Sequence, residues 1–187
     1  MPNTASGIIA KLRFVDITTC DAATLEGVRE LRNHPQIRPF LYTTHEISSA
    51  EHASWAAGLA GDIDRRFFVV FSDNVIAGTA NWSSRGQEAG DLYWGFYVNP
   101  ELAGRGVGTA MLTQFLEMIF SDGQTERIIG EAREDNAASR ALHKRLGFVE
   151  QGPRHVEGDS GETVTAIRFA LTRRDWQEQL SARQQGK

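Results

Sequence analysis

From Leu12 to Ile17 the chain reads Leu-Arg-Phe-Val-Asp-Ile, a short apolar-rich run that predicts a strand. The period then lengthens. Leu25, Val28 and Leu31 recur at helical spacing, which predicts a helix over Ala22 to Asn33 with Asp21 as its cap and Pro35 as its stop. Ser48-Ser49-Ala50-Glu51 has the form of a capping box, so a second helix is expected from Ser48 to about Gly61, carrying His52 and Trp55 on neighbouring turns. Phe67 to Ser72 and Val75 to Asn81, joined by Asp73-Asn74, predict an antiparallel hairpin, and Asp91 to Val98 a third strand. Val107, Met111, Phe115 and Met118 then mark one face of a helix from Gly106 to Phe120. Arg127 to Ala132 reads as a strand, Ala137 to Leu146 as a short helix closed by Gly147, and two last strands flank Gly158 to Gly161.

The resulting order is β-α-α-β-β-β-α-β-α-β-β, an α/β fold with a mixed central sheet and helices on both faces. At 187 residues, with no repeat and no Pro/Gly/Ser linker, one domain over 1–187 is expected, with 1–10 and the polar tail 182–187 flexible. A net charge of -4 without a basic cluster argues against nucleic acid as a partner. Cys20 is the single cysteine, no C-x-x-C pair is present and no metal site is expected. The longest apolar run, Phe67 to Phe71, is far too short to span a membrane, and the N-terminus lacks a signal-type apolar core. The chain therefore reads as cytoplasmic.

Chemistry concentrates in Asn99 to Leu112, where three glycines separate a strand from a helix. Such a junction suits an anion, because the first helical N–H groups lack intrahelical partners and the helix dipole is positive there. A dinucleotide site needs G-x-G-x-x-G directly after the strand and a P-loop needs G-x-x-x-x-G-K-[ST]; Gly104, Gly106 and Gly108 satisfy neither. Downstream, in Glu134 to Phe148, Asn136, Arg140 and His143 share one helical face while Ala138, Leu142 and Leu146 can face a core.

The run Ala103-Gly104-Arg105-Gly106-Val107-Gly108 resembles the [QR]-x-x-G-x-[GA] signature of the GNAT acetyltransferase superfamily, with Ala103 where Gln or Arg is usual. Asn136, Ser139, Gly147 and Phe148 resemble its second signature, so the likeness spans about Phe67 to Phe148. It implies acetyl-CoA as cosubstrate, its pyrophosphate cradled by Gly104, Arg105, Gly106, Val107, Gly108 and Thr109, with Asn136, Ser139, Arg140 and His143 also facing CoA. It further implies that the backbone N–H of Val98 serves the oxyanion. His143 stands where the family's tyrosine acid lies; it is either that acid or a surface helix residue, in which case Tyr97 or a water substitutes. Glu131 is the expected base, the other reading being a solvated strand glutamate.

Leu31-Arg32-Asn33-His34-Pro35, Leu41-Tyr42, Ile47-Ser48 with His52 and Trp55, and the Tyr93 to Pro100 strand resemble a narrower group, the acetyltransferases of pseudaminic acid biosynthesis. That resemblance implies an acceptor, UDP-4-amino-4,6-dideoxy-N-acetyl-β-L-altrosamine, acetylated on its 4-amino group. Arg32 and His52 would hold the nucleotide or its phosphates, and Leu41, Tyr42, Trp55 and Tyr93 would surround the deoxysugar beside Glu131. A ribosomal-type protein N-terminal or small-amine acetyltransferase and a non-catalytic acyl-CoA-binding regulatory domain are the alternatives, and a monomer or homodimer fits each.

Overall fold

The computed structural model describes residues 11–185 apart from Gln87 and Ser160. Its strands and helices are β1 (Leu12–Asp16), α1 (Ala22–Asn33), α2 (Ser49–Ala57), β2 (Arg65–Ser72), β3 (Val75–Ser83), β4 (Asp91–Val98), α3 (Val107–Phe120), β5 (Arg127–Arg133), α4 (Ala137–Arg145), β6 (Val149–Glu157), β7 (Thr163–Thr172) and α5 (Arg173–Gln185). The expected order and mixed sheet are present. One helix was not foreseen: α5 occupies much of the tail expected to be loose, and the expectation for 1–10 lies outside the described residues. Among the described residues no helix is long and apolar enough to cross a membrane.

Local signals set the boundaries. Asp21 accepts from the Thr24 N–H at 2.8 Å and starts α1 where expected. Ser48 and Glu51 form the reciprocal capping box of α2, which stops at Gly58, earlier than the expected Gly61. At the end of α4 the Phe148 N–H returns to the His143 carbonyl and the Gly147 N–H to that of Lys144, a Schellman closure that needs the left-handed φ of 87° at Gly147.

The seven strands lie in the order β1-β2-β3-β4-β5-β7-β6. Alternation across β2 feeds two cores: Val70 joins α3, Trp94, Phe169 and Trp176 on one face, whereas Val69 joins Ile17, Val28 and Leu59 on the other. Met118, expected inward, is instead 38% exposed. All neighbouring strands are antiparallel except β4 and β5, which run parallel and pair only from Asp91 to Tyr93 against Arg127 to Ile129. Beyond Tyr93 they part. That split positions the site.

Candidate active site

The split leaves part of β4 without a strand partner. Asn99 donates to the Ala77 carbonyl at 2.8 Å, and Gly78 lies opposite Val98 in register. Hydrogen-bonded pairs alternate in an antiparallel ladder, so Gly95 and Tyr97 spend their backbone groups on β3. Phe96 and Val98, with the Trp94 carbonyl, therefore direct theirs to the side that β5 has left. A cavity of about 900 Å³ opens there, walled by β4, β5, the start of α3, α4 and the loop between α1 and α2.

At one end stands the start of α3. Gly106 is its N-cap at φ 78° with no side-chain cap bond, and Gly104 precedes it at φ 75°. A Cβ at either would meet nothing within 4 Å, so backbone conformation rather than space calls for glycine. Gly108 differs: a Cβ there would lie 3.2 Å from Val98 Cγ2. Gly104, Gly106, Val107, Gly108 and Thr109 line the cavity, and the exposed Arg105 does not. Arg145, which the sequence reading passed over, reaches Thr109 Oγ1 at 3.4 Å and brings a cation to this end.

Helix α4 supplies the adjoining wall. Asn136 caps it, accepting from the Ser139 N–H at 3.0 Å, and both line the cavity. Arg140, expected to face CoA, does not line it: its guanidinium donates to the Glu134 carbonyl and approaches Glu150 at 3.9 Å. His143 is 1% exposed. The Trp94 indole N–H donates to its Nε2 at 3.2 Å, which leaves Nδ1 to donate to the Ser139 carbonyl at 2.9 Å. Its ring stacks on Phe169 at 4.7 Å. Burial holds its pKa down at about 4. His143 does border the cavity, as expected, but a neutral imidazole with both nitrogens already hydrogen-bonded is poorly placed to protonate a thiolate, so this geometry opposes both the acid role and the surface position considered for it. Gly130 makes the contact possible, since a Cβ there would lie 2.6 Å from His143 Nε2 and closer still to Trp94 Nε1. Tyr97 is half-buried in the cavity wall, where burial pushes its phenol pKa up and keeps the proton on.

The other end contains a buried carboxylate. The Glu131 side chain is 5% exposed; Oε2 accepts from the Tyr42 phenol at 2.9 Å and the Tyr93 phenol at 3.0 Å, and Oε1 from Arg154 Nη1 at 3.2 Å. Burial raises both phenol pKa values, so the tyrosines remain donors. Trp55 packs edge-on to Phe67 at 4.8 Å and beside His52 at 5.1 Å, and Leu41 completes an apolar wall. Burial, with Arg29 and Arg32 nearby, lowers the pKa of His52, which favours a neutral imidazole.

Arg32 lines this end, but its guanidinium is already engaged. It donates to the carbonyls of Thr43 and His45 and to Asn33 Oδ1, so it staples the 41–47 loop rather than presenting an open fork for phosphate. From the opposite side Asp159 accepts from the Thr44 N–H at 2.9 Å, and its own N–H donates to the Tyr42 carbonyl. Arg154 and Asp159 were invisible to the sequence reading because strand pairing, not chain spacing, brings them here. Glu131 is the sole carboxylate among the lining residues described, against Arg32, Arg133 and Arg145.

A family model described as an acetyltransferase (GNAT) domain matches residues 11–149. Two acetyltransferases PseH from Campylobacter jejuni strains are 23% and 26% identical over 138 residues, 74% of this chain and 85% of each relative. Among solved structures, spermidine N-acetyltransferase from Vibrio cholerae in complex with CoA and spermine superposes with a TM-score of 0.76 at 18% identity, covering 90% of this chain and 98% of that one. Mycobacterium smegmatis RimJ in complex with CoA-disulfide gives 0.72 at 25% identity, covering 86% of this chain and 80% of that one.

Proposed function

The chain belongs to the acetyltransferase (GNAT) family and is an acetyl-CoA-dependent N-acetyltransferase; on that premise we propose that its acceptor is the 4-amino group of UDP-4-amino-4,6-dideoxy-N-acetyl-β-L-altrosamine. The observation that carries the choice of acceptor is the composition of the chamber around Glu131. Its single carboxylate faces Arg154, and its other charged lining groups are arginines. A polyamine brings several positive charges and would find no further anion among the described lining residues. A nucleotide-linked sugar with one amine and an apolar 6-methyl edge suits the aromatic and aliphatic wall of Leu41, Tyr42, Trp55, Phe67 and Tyr93. The resemblance of residues 31–55 and 93–100 to pseudaminic acid acetyltransferases supports the same acceptor.

In this reading Gly104, Gly106, Val107, Gly108 and Thr109 hold the CoA pyrophosphate, Arg145 supplies charge in place of the missing residue at Ala103, and Asn136 and Ser139 flank the pantetheine arm. Glu131 takes a proton from the acceptor ammonium, directly or through water. The free amine attacks the thioester carbon, and the Val98 N–H meets the charge developing on its oxygen. As the new C–N bond forms and the C–S bond breaks, the Tyr97 phenol or a water gives a proton to sulfur, and the second proton that the attacking nitrogen sheds on becoming an amide restores the donor. The products are an amide and free CoA.

CoA-release kinetics across the UDP-linked 4-amino sugar, spermidine and a peptide with a free N-terminus test the proposal. The expected result is a kcat/KM for the sugar at least about a hundredfold above both others, a discrimination worth about 3 kcal/mol. Preference for spermidine or the peptide would overturn the choice of acceptor.

A further inference from the structure

We propose that Arg154, on the outer strand β6, is a positioning residue for acetyl transfer: its guanidinium fixes Oε1 of Glu131 so that the acceptor meets an ordered, charged carboxylate. This rests on Glu131 being the base. The argument begins with burial. A carboxylate that is 5% exposed needs donors on both oxygens and a nearby positive charge. Tyr42 and Tyr93 satisfy Oε2 but bring no charge. Arg154 satisfies Oε1 at 3.2 Å and brings the charge.

Neighbouring arginines do not duplicate it. Arg133, two residues along β5, turns to Asp135 at 3.2 Å. Arg168 is the register partner of Glu131 on β7, yet the ion pair of Glu131 among the described residues is with Arg154, one strand further out. Arg154 is not among the residues that line the cavity, and half of its side chain faces solvent. It therefore acts through Glu131 and not on the acceptor itself. The same hairpin, β6 to β7, holds the Tyr42 loop through Asp159, so one hairpin orders two of the three donors to the base.

An exposed arginine contributes little to folding, whereas a buried carboxylate deprived of its counter-charge protonates more readily. The two roles thus separate by measurement. pH–rate profiles are recorded for wild type, Arg154→Gln, Arg154→Lys and Glu131→Gln, with the UDP-linked 4-amino sugar or, should wild type prefer it, the peptide or spermidine as acceptor. Melting temperature and CoA affinity are measured alongside. In Arg154→Gln we expect kcat to fall about ten- to a hundredfold near neutral pH, part of the range for a base. The acid limb should move to higher pH, CoA affinity should hold, the melting temperature should fall by no more than about a few degrees because a carboxylate that protonates more readily when folded gives up some stability, and Arg154→Lys should recover most of the limb. An unchanged limb in Arg154→Gln, or a loss of activity that follows lost stability in both variants, overturns the proposal. Full activity of Glu131→Gln would overturn the base reading and this inference together. An inactive Glu131→Gln beside a normal Arg154→Gln would overturn only this one.

Discussion

Replacing His143 with glutamine separates a structural histidine from a catalytic acid. The wild-type imidazole is buried neutral with a pKa near 4 against an ordinary 6.5. A group whose folded pKa lies below its unfolded value favours the folded state fully above the unfolded pKa, and that contribution is lost as pH falls toward the folded one. Between about pH 7.5 and about pH 5 the linkage amounts to about 2 kcal/mol, from 1.36 kcal/mol per pKa unit over the part of the shift that this window spans. Glutamine does not titrate there. Urea unfolding at both pH values should therefore show wild type losing about 2 kcal/mol more than the variant, because other titrating groups largely cancel in the difference. At neutral pH the variant should be less stable by about 1–3 kcal/mol, since the Trp94 N–H loses a well-placed acceptor and the Phe169 stack loses a ring. Turnover per folded molecule should stay within a few-fold of wild type. A loss of about a hundredfold in kcat with unchanged stability and parallel pH dependence would restore the acid role and refute the structural argument.

Gly130→Ala drives a methyl group into the Trp94–His143 contact inside a packed layer. Overpacking and a broken buried bond together should cost about 2–5 kcal/mol, read by denaturant unfolding; a change under about 0.5 kcal/mol would contradict the packing. Gly106→Ala places a Cβ on a left-handed residue with open space around it, so calorimetry should find weaker CoA binding alongside a loss of about 1–2 kcal/mol in stability. Arg32→Ala frees the carbonyls of Thr43 and His45, and acceptor KM should rise while CoA affinity is unchanged. Equal weakening of both ligands would show that the 41–47 loop is not confined to the acceptor end.

What the sequence disclosed were features carried by local spacing. Asp21 and the Ser48–Glu51 pair fix helix starts through bonds spanning three residues, and alternation along β4 follows directly from residue order. Helix α5 escaped notice because Arg173 to Gln185 has only Trp176 and Leu180 as large apolar residues, too sparse a stripe to register a period. Trp176 is nevertheless 1% exposed, packed on Phe120 from α3. The site divides in the same way. The glycine cradle and the Asn136 cap are short-range features, legible from spacing and family likeness. The burial of His143 depends on Trp94, 49 residues upstream. The role of Arg32 depends on carbonyls of a loop whose path no periodicity specifies. The Arg154 contact requires the register of three strands.

The most direct measurement of the central claim is product analysis by mass spectrometry and NMR after incubation of acetyl-CoA with the UDP-linked 4-amino sugar, for wild type and Glu131→Gln. The expected result is one acetyl group on the 4-nitrogen of an otherwise intact nucleotide sugar with wild type, formed at least about a hundredfold more slowly with the variant. No acetylated sugar from wild type, under conditions where it acetylates the peptide or spermidine, would contradict the account.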